Sequence, residues 1–183
     1  MRCFVGIPLP ESYQEGLLTI VQNWQKKLHS KISWTKKGNW HMTLFFLGQI
    51  SEDNVEQVKE KLKEVSMNSF SLQARGGGFF PPGKQPRVLW VGLETGHQEC
   101  IQLAEKIENN LHDLGFESDK KSFRPHLTLG RVKQNRKDNW SEFIDYLTKI
   151  DWPLATIDSF NLWKSDLTPQ GPIYSVIENY PLD

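Results

Sequence analysis

The stretches "NWHMTLFFLG" (39–48) and "RPHLTLGRVK" (124–133) each contain His-x-Thr-Leu, and their histidines stand 85 residues apart. Side chains on a strand alternate between two faces, so His41 and Thr43 share one face while Met42 and Leu44 take the other. His126 and Thr128 stand in the same relation to Leu127 and Leu129. With 5 His in 183 residues, chance supplies about 0.2 His-x-Thr triplets. One copy would read as a polar cross-strand pair on a solvated sheet face; two copies in β-rich settings point to a shared use.

Two imidazoles and two hydroxyls are what an acid/base reaction at a phosphate needs. One histidine accepts a proton while the other, charged, donates one, and both types titrate near neutral pH without special burial. The threonine hydroxyls can hydrogen-bond nonbridging oxygens. On this reading His126 is the general base on water and His41 the general acid, although the tandem motif alone does not tell them apart. The rate should then follow a bell centred roughly between pH 6 and 8. There is no His-x-His, no cysteine pair and no carboxylate beside either motif, so an ion held there would lack ligands. No metal or other cofactor is expected.

The same spacing recurs elsewhere in the chain. Arg2 precedes "CFVGI" and stands 39 residues before His41; Arg87 precedes "VLWVGL" and stands 39 before His126. The 85-residue offset also superposes "EDNVEQVKEKLKEV" on "KDNWSEFIDYLTKI". Apolar residues at helical spacing predict helices over 11–28, 52–66, 98–114 and 137–149. β-rich runs predict strands near 3–7, 41–47, 69–74, 88–93, 126–132, 154–163 and 173–177. The fold class is α+β: one duplicated, bilobal domain over 1–183, with two mostly antiparallel sheets, helices outside and a central cleft suited to a ligand. "ARGGGFFPPGKQPR" (74–87) lacks the strand, Lys and Ser/Thr setting of a phosphate-cradling loop and reads as a turn or bulge.

Net charge is zero, with 22 residues of each sign, which argues against tight nonspecific binding along a nucleic acid backbone. The distribution is uneven. Residues 16–51 hold five lysines and no acid; residues 120–137 hold Lys120, Lys121, Arg124, Arg131, Lys133, Arg136 and Lys137 and no acid. Each stretch contains one His-x-Thr, so an anion-attracting cleft is expected. Arg131 is the candidate phosphate clamp, because its planar fork suits paired oxygens. His29, His97 and His112 lack a Thr partner and read as surface residues. Trp34, Phe46, Phe123 and Trp163 are candidates for base stacking, with core packing the favoured reading of each. The N-terminus "MRCFVGIPLP" is too short an apolar run for a signal segment or a membrane span, so a cytoplasmic location is expected. Cys3 and Cys100 read as reduced, buried thiols.

At these residues the chain resembles the 2H phosphoesterases, and within them the bacterial and archaeal RNA 2',3'-cyclic phosphodiesterases historically called 2'-5' RNA ligases. The likeness runs through "RCFVGIPLP", "NWHMTLFFLG", "GFFPPGKQPRVLWVGL", "FRPHLTLGRV" and "SDLTPQGPIYSVIENYPL". The resemblance implies metal-independent opening of a 2',3'-cyclic phosphate to a 2'-phosphate, with reversible ligation in some members. It implies catalytic roles for His41 and His126 with Thr43 and Thr128, and phosphate contact by Arg131. The expected partner is an RNA 3' end or a nucleoside 2',3'-cyclic phosphate; a monomer with no membrane partner is also expected. The chain has Ser33-Trp34 where relatives commonly have Arg-Trp, and Lys164 where they often have Arg. Three other readings are a phosphodiesterase for 2'-5' oligonucleotides or small cyclic nucleotides, a noncatalytic RNA- or nucleotide-binding module, and a structural or interaction protein with a solvated polar sheet face. Two matched imidazoles count against the second.

Overall fold

The computed structural model describes residues 1–83, 85–117, 123–169 and 171–183. The first half of the chain supplies β1 (Arg2–Pro8), α1 (Glu11–Trp24), β2 (Lys31–Trp34), β3 (His41–Gln49), α2 (Glu52–Lys63) and β4 (Phe70–Phe80). The second supplies β5 (Val88–Thr95), α3 (His97–His112), β6 (Leu127–Gln134), α4 (Trp140–Thr148), β7 (Ala155–Ile157), β8 (Ser159–Thr168) and β9 (Gly171–Pro181). All strand pairs are antiparallel.

The helices form where the apolar period and the caps agree. Ser51 accepts a hydrogen bond from the Asn54 amide at the start of α2, whose acidic first turn and basic last turn suit the helix dipole. Asn139 caps α4 in the same way. The buried stripes Leu17, Ile20, Val21 and Trp24 of α1, and Cys100, Leu103, Ala104, Ile107 and Leu111 of α3, face the core. Both cysteines are free and buried.

The strand order is β3-β1-β8-β9 in one sheet and β2-β6-β5-β4-β7 in the other. These sheets are not the two sequence halves. In each half the first strand pairs with the strand of the His-x-Thr motif, β1 with β3 and β5 with β6. On its other side it pairs with a strand of the opposite half, β1 with β8 and β5 with β4. The helices follow the exchange. Trp24 of α1 packs against Phe143 and Tyr146 of α4, and the buried Tyr13 hydroxyl accepts from the Ala74 amide of β4 at 3.0 Å. The α1 helix therefore covers the second sheet, while α3 contacts β3 of the first. Each buried Leu, Ile, Val or Phe of these layers contributes about 1.5–3 kcal/mol, and separating the halves would break both sheets.

Several boundaries differ from expectation. The α1 helix ends at Trp24 rather than 28, because the Trp24 carbonyl receives the amides of both Lys27 and Leu28 in a closing turn. The glycine-rich segment is not all turn. Strand β4 runs through it to Phe80, with register shifts flanking Ala74 that make the expected bulge. A Cβ on Gly77 would lie 2.4 Å from the Trp90 carbonyl oxygen, so glycine permits this close pairing. The single strand expected at 154–163 divides at Asp158, β7 joining the second sheet and β8 the first. Strand β2 lies outside the expected set; its four residues carry too short an alternation to register. Among the described residues no helix is long and apolar enough to cross a membrane.

Candidate active site

Strand alternation places the tetrads as expected. Met42 and Leu44 are buried beneath β3, as Leu127 and Leu129 are beneath β6. His41, Thr43, His126 and Thr128 are partly exposed on the opposite faces. The one displacement is that His126 lies just ahead of β6, which starts at Leu127.

All five candidate residues, His41, Thr43, His126, Thr128 and Arg131, line a single cavity of about 700 Å³. Both sheets supply its walls. Arg2 and Phe4 come from β1, Trp34 from β2 and Tyr174 from β9. Among the described residues no carboxylate lines it, whereas Arg2, Arg131 and Lys133 do, so an anion would meet a positive field. Arg131 stands opposite Ser33 in the β2–β6 pair. The expectation for the first basic stretch needs one correction. Lys37 is held by Glu11 at 2.7 Å and by Glu15, carboxylates from α1 that lie outside that stretch. Lys120 and Lys121 lie outside the described residues.

The two imidazoles are oriented by one repeated device. His41 Nδ1 lies 2.8 Å from the Asn39 carbonyl, and His126 Nδ1 lies 2.6 Å from the Arg124 carbonyl. A carbonyl only accepts, so Nδ1 carries the proton in both rings and Nε2 of the neutral ring is left as an acceptor. In the neutral His41 ring, Nε2 accepts the Thr43 hydroxyl at 2.9 Å. Among the described residues no equivalent bond joins Thr128 to His126, so the repeat is not symmetric in detail.

Aromatic rings fix the imidazoles further. Phe4 stacks on His41 with centroids 4.5 Å apart, and Tyr174 meets it edge-on at 5.0 Å. Phe80 meets His126 edge-on at 5.2 Å. A Cβ on Gly6 would come within 3.4 Å of the His41 ring and 2.7 Å of the Met42 carbonyl, so glycine lets β1 and β3 close beneath the histidine. These surroundings correct the expectation of unperturbed imidazoles. Burial holds His41 down to about 4, against the pull of its Asn39 bond, with the nearby His126 adding to the depression. Burial also lowers His126, and the Arg131 charge adds to it. With no anion in the cavity both rings are neutral near pH 7.

Of the candidate stacking residues, Phe46 departs from core packing. It is 61% exposed and lines the cavity, because a bulge of the β1–β3 pair at Leu44 shifts the alternation, leaving Leu44 and Phe45 both buried. Trp34 lines the cavity and also packs on the core. Trp163 donates to the Gly6 carbonyl and stacks on Phe4, and Phe123 packs on the core. His29 bonds Asp138, while His97 and His112 sit at the ends of α3. Lys164 pairs with Asp166. Sequence reasoning missed Tyr174, Phe4 and Asn39. Asn39 acts through its carbonyl, which its residue type does not reveal, yet Asn39 and Arg124 obey the same 85-residue offset. Among the described residues no group of three or more His, Cys, Asp and Glu could hold a metal ion.

The sequence matches the family described as "LigT like Phosphoesterase" twice, over 7–90 and 91–174. An RNA 2',3'-cyclic phosphodiesterase of Thermotoga maritima is 35% identical over 97% of this chain and 93% of its own length. One of Archaeoglobus fulgidus is 33% identical over 95% of this chain and 96% of its own. Among solved structures, a Thermus thermophilus protein superposes with a TM-score of 0.79 at 24% identity, covering 99% of this chain and 97% of that one. E. coli LigT complexed with 3'-AMP gives 0.77 at 22% identity, with 99% and 97% covered.

Proposed function

The chain belongs to the LigT-like phosphoesterase family, and from that premise we propose that it opens a 2',3'-cyclic phosphate at an RNA 3' end. Water attacks phosphorus, the P–O3' bond breaks and a 2'-phosphate remains. His126 takes the proton from the attacking water through Nε2, and His41 gives one to the departing 3'-oxygen. The Thr43 and Thr128 hydroxyls and the Arg131 guanidinium hold the nonbridging oxygens, where negative charge grows. The acid's proton arrives with the substrate, because the phosphodiester anion offsets the burial that keeps both rings neutral in the empty cavity. With an RNA 5'-hydroxyl in place of water, the same exchange would make a 2'-5' bond.

One observation carries this reading. Both imidazoles have Nδ1 bound by the carbonyl two residues earlier, which frees Nε2 of each ring for a proton transfer within one cavity. A noncatalytic RNA-binding module would have no use for two rings held in the same tautomer. The whole chain acts as one unit, since the sheets exchange strands, and we place it as a monomer in the cytoplasm with no membrane partner. Incubating the protein with an RNA ending in 2',3'-cyclic phosphate, and separating 2'- from 3'-phosphate products, tests the proposal. A 2'-phosphate product supports it; an untouched cyclic end refutes it.

A further inference from the structure

We propose that a second cavity, on the other side of Lys133, binds the phosphates of the RNA strand leading into the active site. This rests on reading the first cavity as the site of an RNA cyclic end. The second cavity is about 960 Å³, and its lining includes Gln85, Arg87, Lys133, Lys137, Asp138 and Trp140. Lys133 lines both cavities, so they share a wall.

The strand register explains how two cationic surfaces arise from one ladder. Val88 pairs with Arg131, and the next step is the Val132 amide donating to the Arg87 carbonyl at 2.9 Å. Neighbouring positions on a strand face opposite ways. Arg131 therefore meets the active cavity, while Arg87 lines the second one behind it. The segment after β6 brings Lys137 to the same place.

Cations outnumber carboxylates three to one among the described residues of that lining. Lys59, Lys61 and Lys63 on α2 each hold a glutamate, at 2.9, 3.1 and 2.7 Å. Among the described residues no such pair engages Arg87, Lys133 or Lys137. The one carboxylate in the lining, Asp138, is engaged by the chain before β2. It accepts from the His29 amide at 2.7 Å and the Ser30 amide at 2.8 Å. A single RNA strand carries one negative charge per nucleotide, and unpaired cations running from Arg131 across Lys133 to Arg87 and Lys137 suit successive phosphates. The zero net charge of the chain confines this attraction to the path itself.

The test uses the intact protein and an Arg87→Gln/Lys137→Gln double variant, neither residue being in the catalytic set and both side chains lying at the surface. Turnover is measured on a nucleoside 2',3'-cyclic monophosphate and on an RNA octamer with the same end. Binding of a fluorescent octamer ending in 2'-phosphate is measured against salt. The variant should leave mononucleotide turnover unchanged and raise the octamer KM about tenfold. It should also flatten the logarithmic salt slope by roughly 1.4, at about 0.7 per lost phosphate contact. Unchanged octamer binding and slope, or an equal loss on the mononucleotide, would overturn the second site. Should the unaltered protein turn over neither substrate, the proposed function fails, and the octamer binding still decides the second site.

Discussion

Thr43 Oγ1 lies 2.9 Å from His41 Nε2 and donates to it, so the hydroxyl that we assign to a phosphate oxygen is held by the neutral ring in the empty cavity. A bond to the neutral form disfavours the charged form. Thr43→Val should therefore raise the His41 pKa, seen in the NMR titration of its ring protons. Thr128→Val should leave His126 where it was. Each variant should lose activity on the order of a hundredfold, the cost of one donor to a developing oxyanion. Equal movement of both histidines, or of neither, would contradict the asymmetry.

The depressed imidazoles also set the pH dependence. In the free enzyme one ring must be charged and the other neutral, so kcat/KM should peak between the two lowered values, below the ordinary histidine range of about 6.5. At saturation the phosphodiester anion favours the imidazolium, and the kcat profile should shift upward. The two limbs belong to the pair and not to either ring. A kcat/KM peak above about pH 7.5 would contradict the burial of these rings. Stability should respond with the same sign. The His41 value is about 4 in the folded chain and about 6.5 unfolded. The unfolded chain therefore takes up protons first as pH falls through that window. The stability is fully present above it and lost within it, and His41→Asn should flatten this part of the denaturation-against-pH curve.

The Tyr13 hydroxyl ties α1 to the exchanged strand, accepting from the Ala74 amide at 3.0 Å and donating to the Pro153 carbonyl at 2.9 Å. Tyr13→Phe strands the buried Ala74 amide and removes the donor to the Pro153 carbonyl, and should cost about 1–3 kcal/mol. For a chain of this size that lowers Tm by about 2–4 °C per kcal/mol, while activity per folded molecule holds. An unchanged Tm would mean that water replaces the hydroxyl.

Much of this was legible because the informative residues are local. The His-x-Thr pairs show their face through Met42, Leu44, Leu127 and Leu129, and the 85-residue offset links the two copies without any alignment. Arg131 was visible from its side-chain chemistry. What sequence could not show depends on partners distant in the chain. The exchange of β4 and β8 between sheets is a choice among antiparallel neighbours with similar patterns. The depression of the histidines needs Phe4, Tyr174 and Phe80 to arrive from other strands. Phe46 points into the cavity only because a bulge shifts its register, and bulges leave little trace in apolar alternation.

The most direct measurement is single-turnover cleavage of adenosine 2',3'-cyclic phosphate by the intact chain, His41→Ala and His126→Ala, each checked for folding by circular dichroism. One lost general acid or base should cost on the order of a hundredfold to ten-thousandfold. The double variant should be little worse than the slower single one, since the two rings act as a unit. Excess EDTA should leave the intact chain's rate unchanged and its product 2'-AMP. Near-native cleavage by either folded variant, or activity lost in EDTA and restored by a divalent ion, would contradict two-histidine acid/base catalysis.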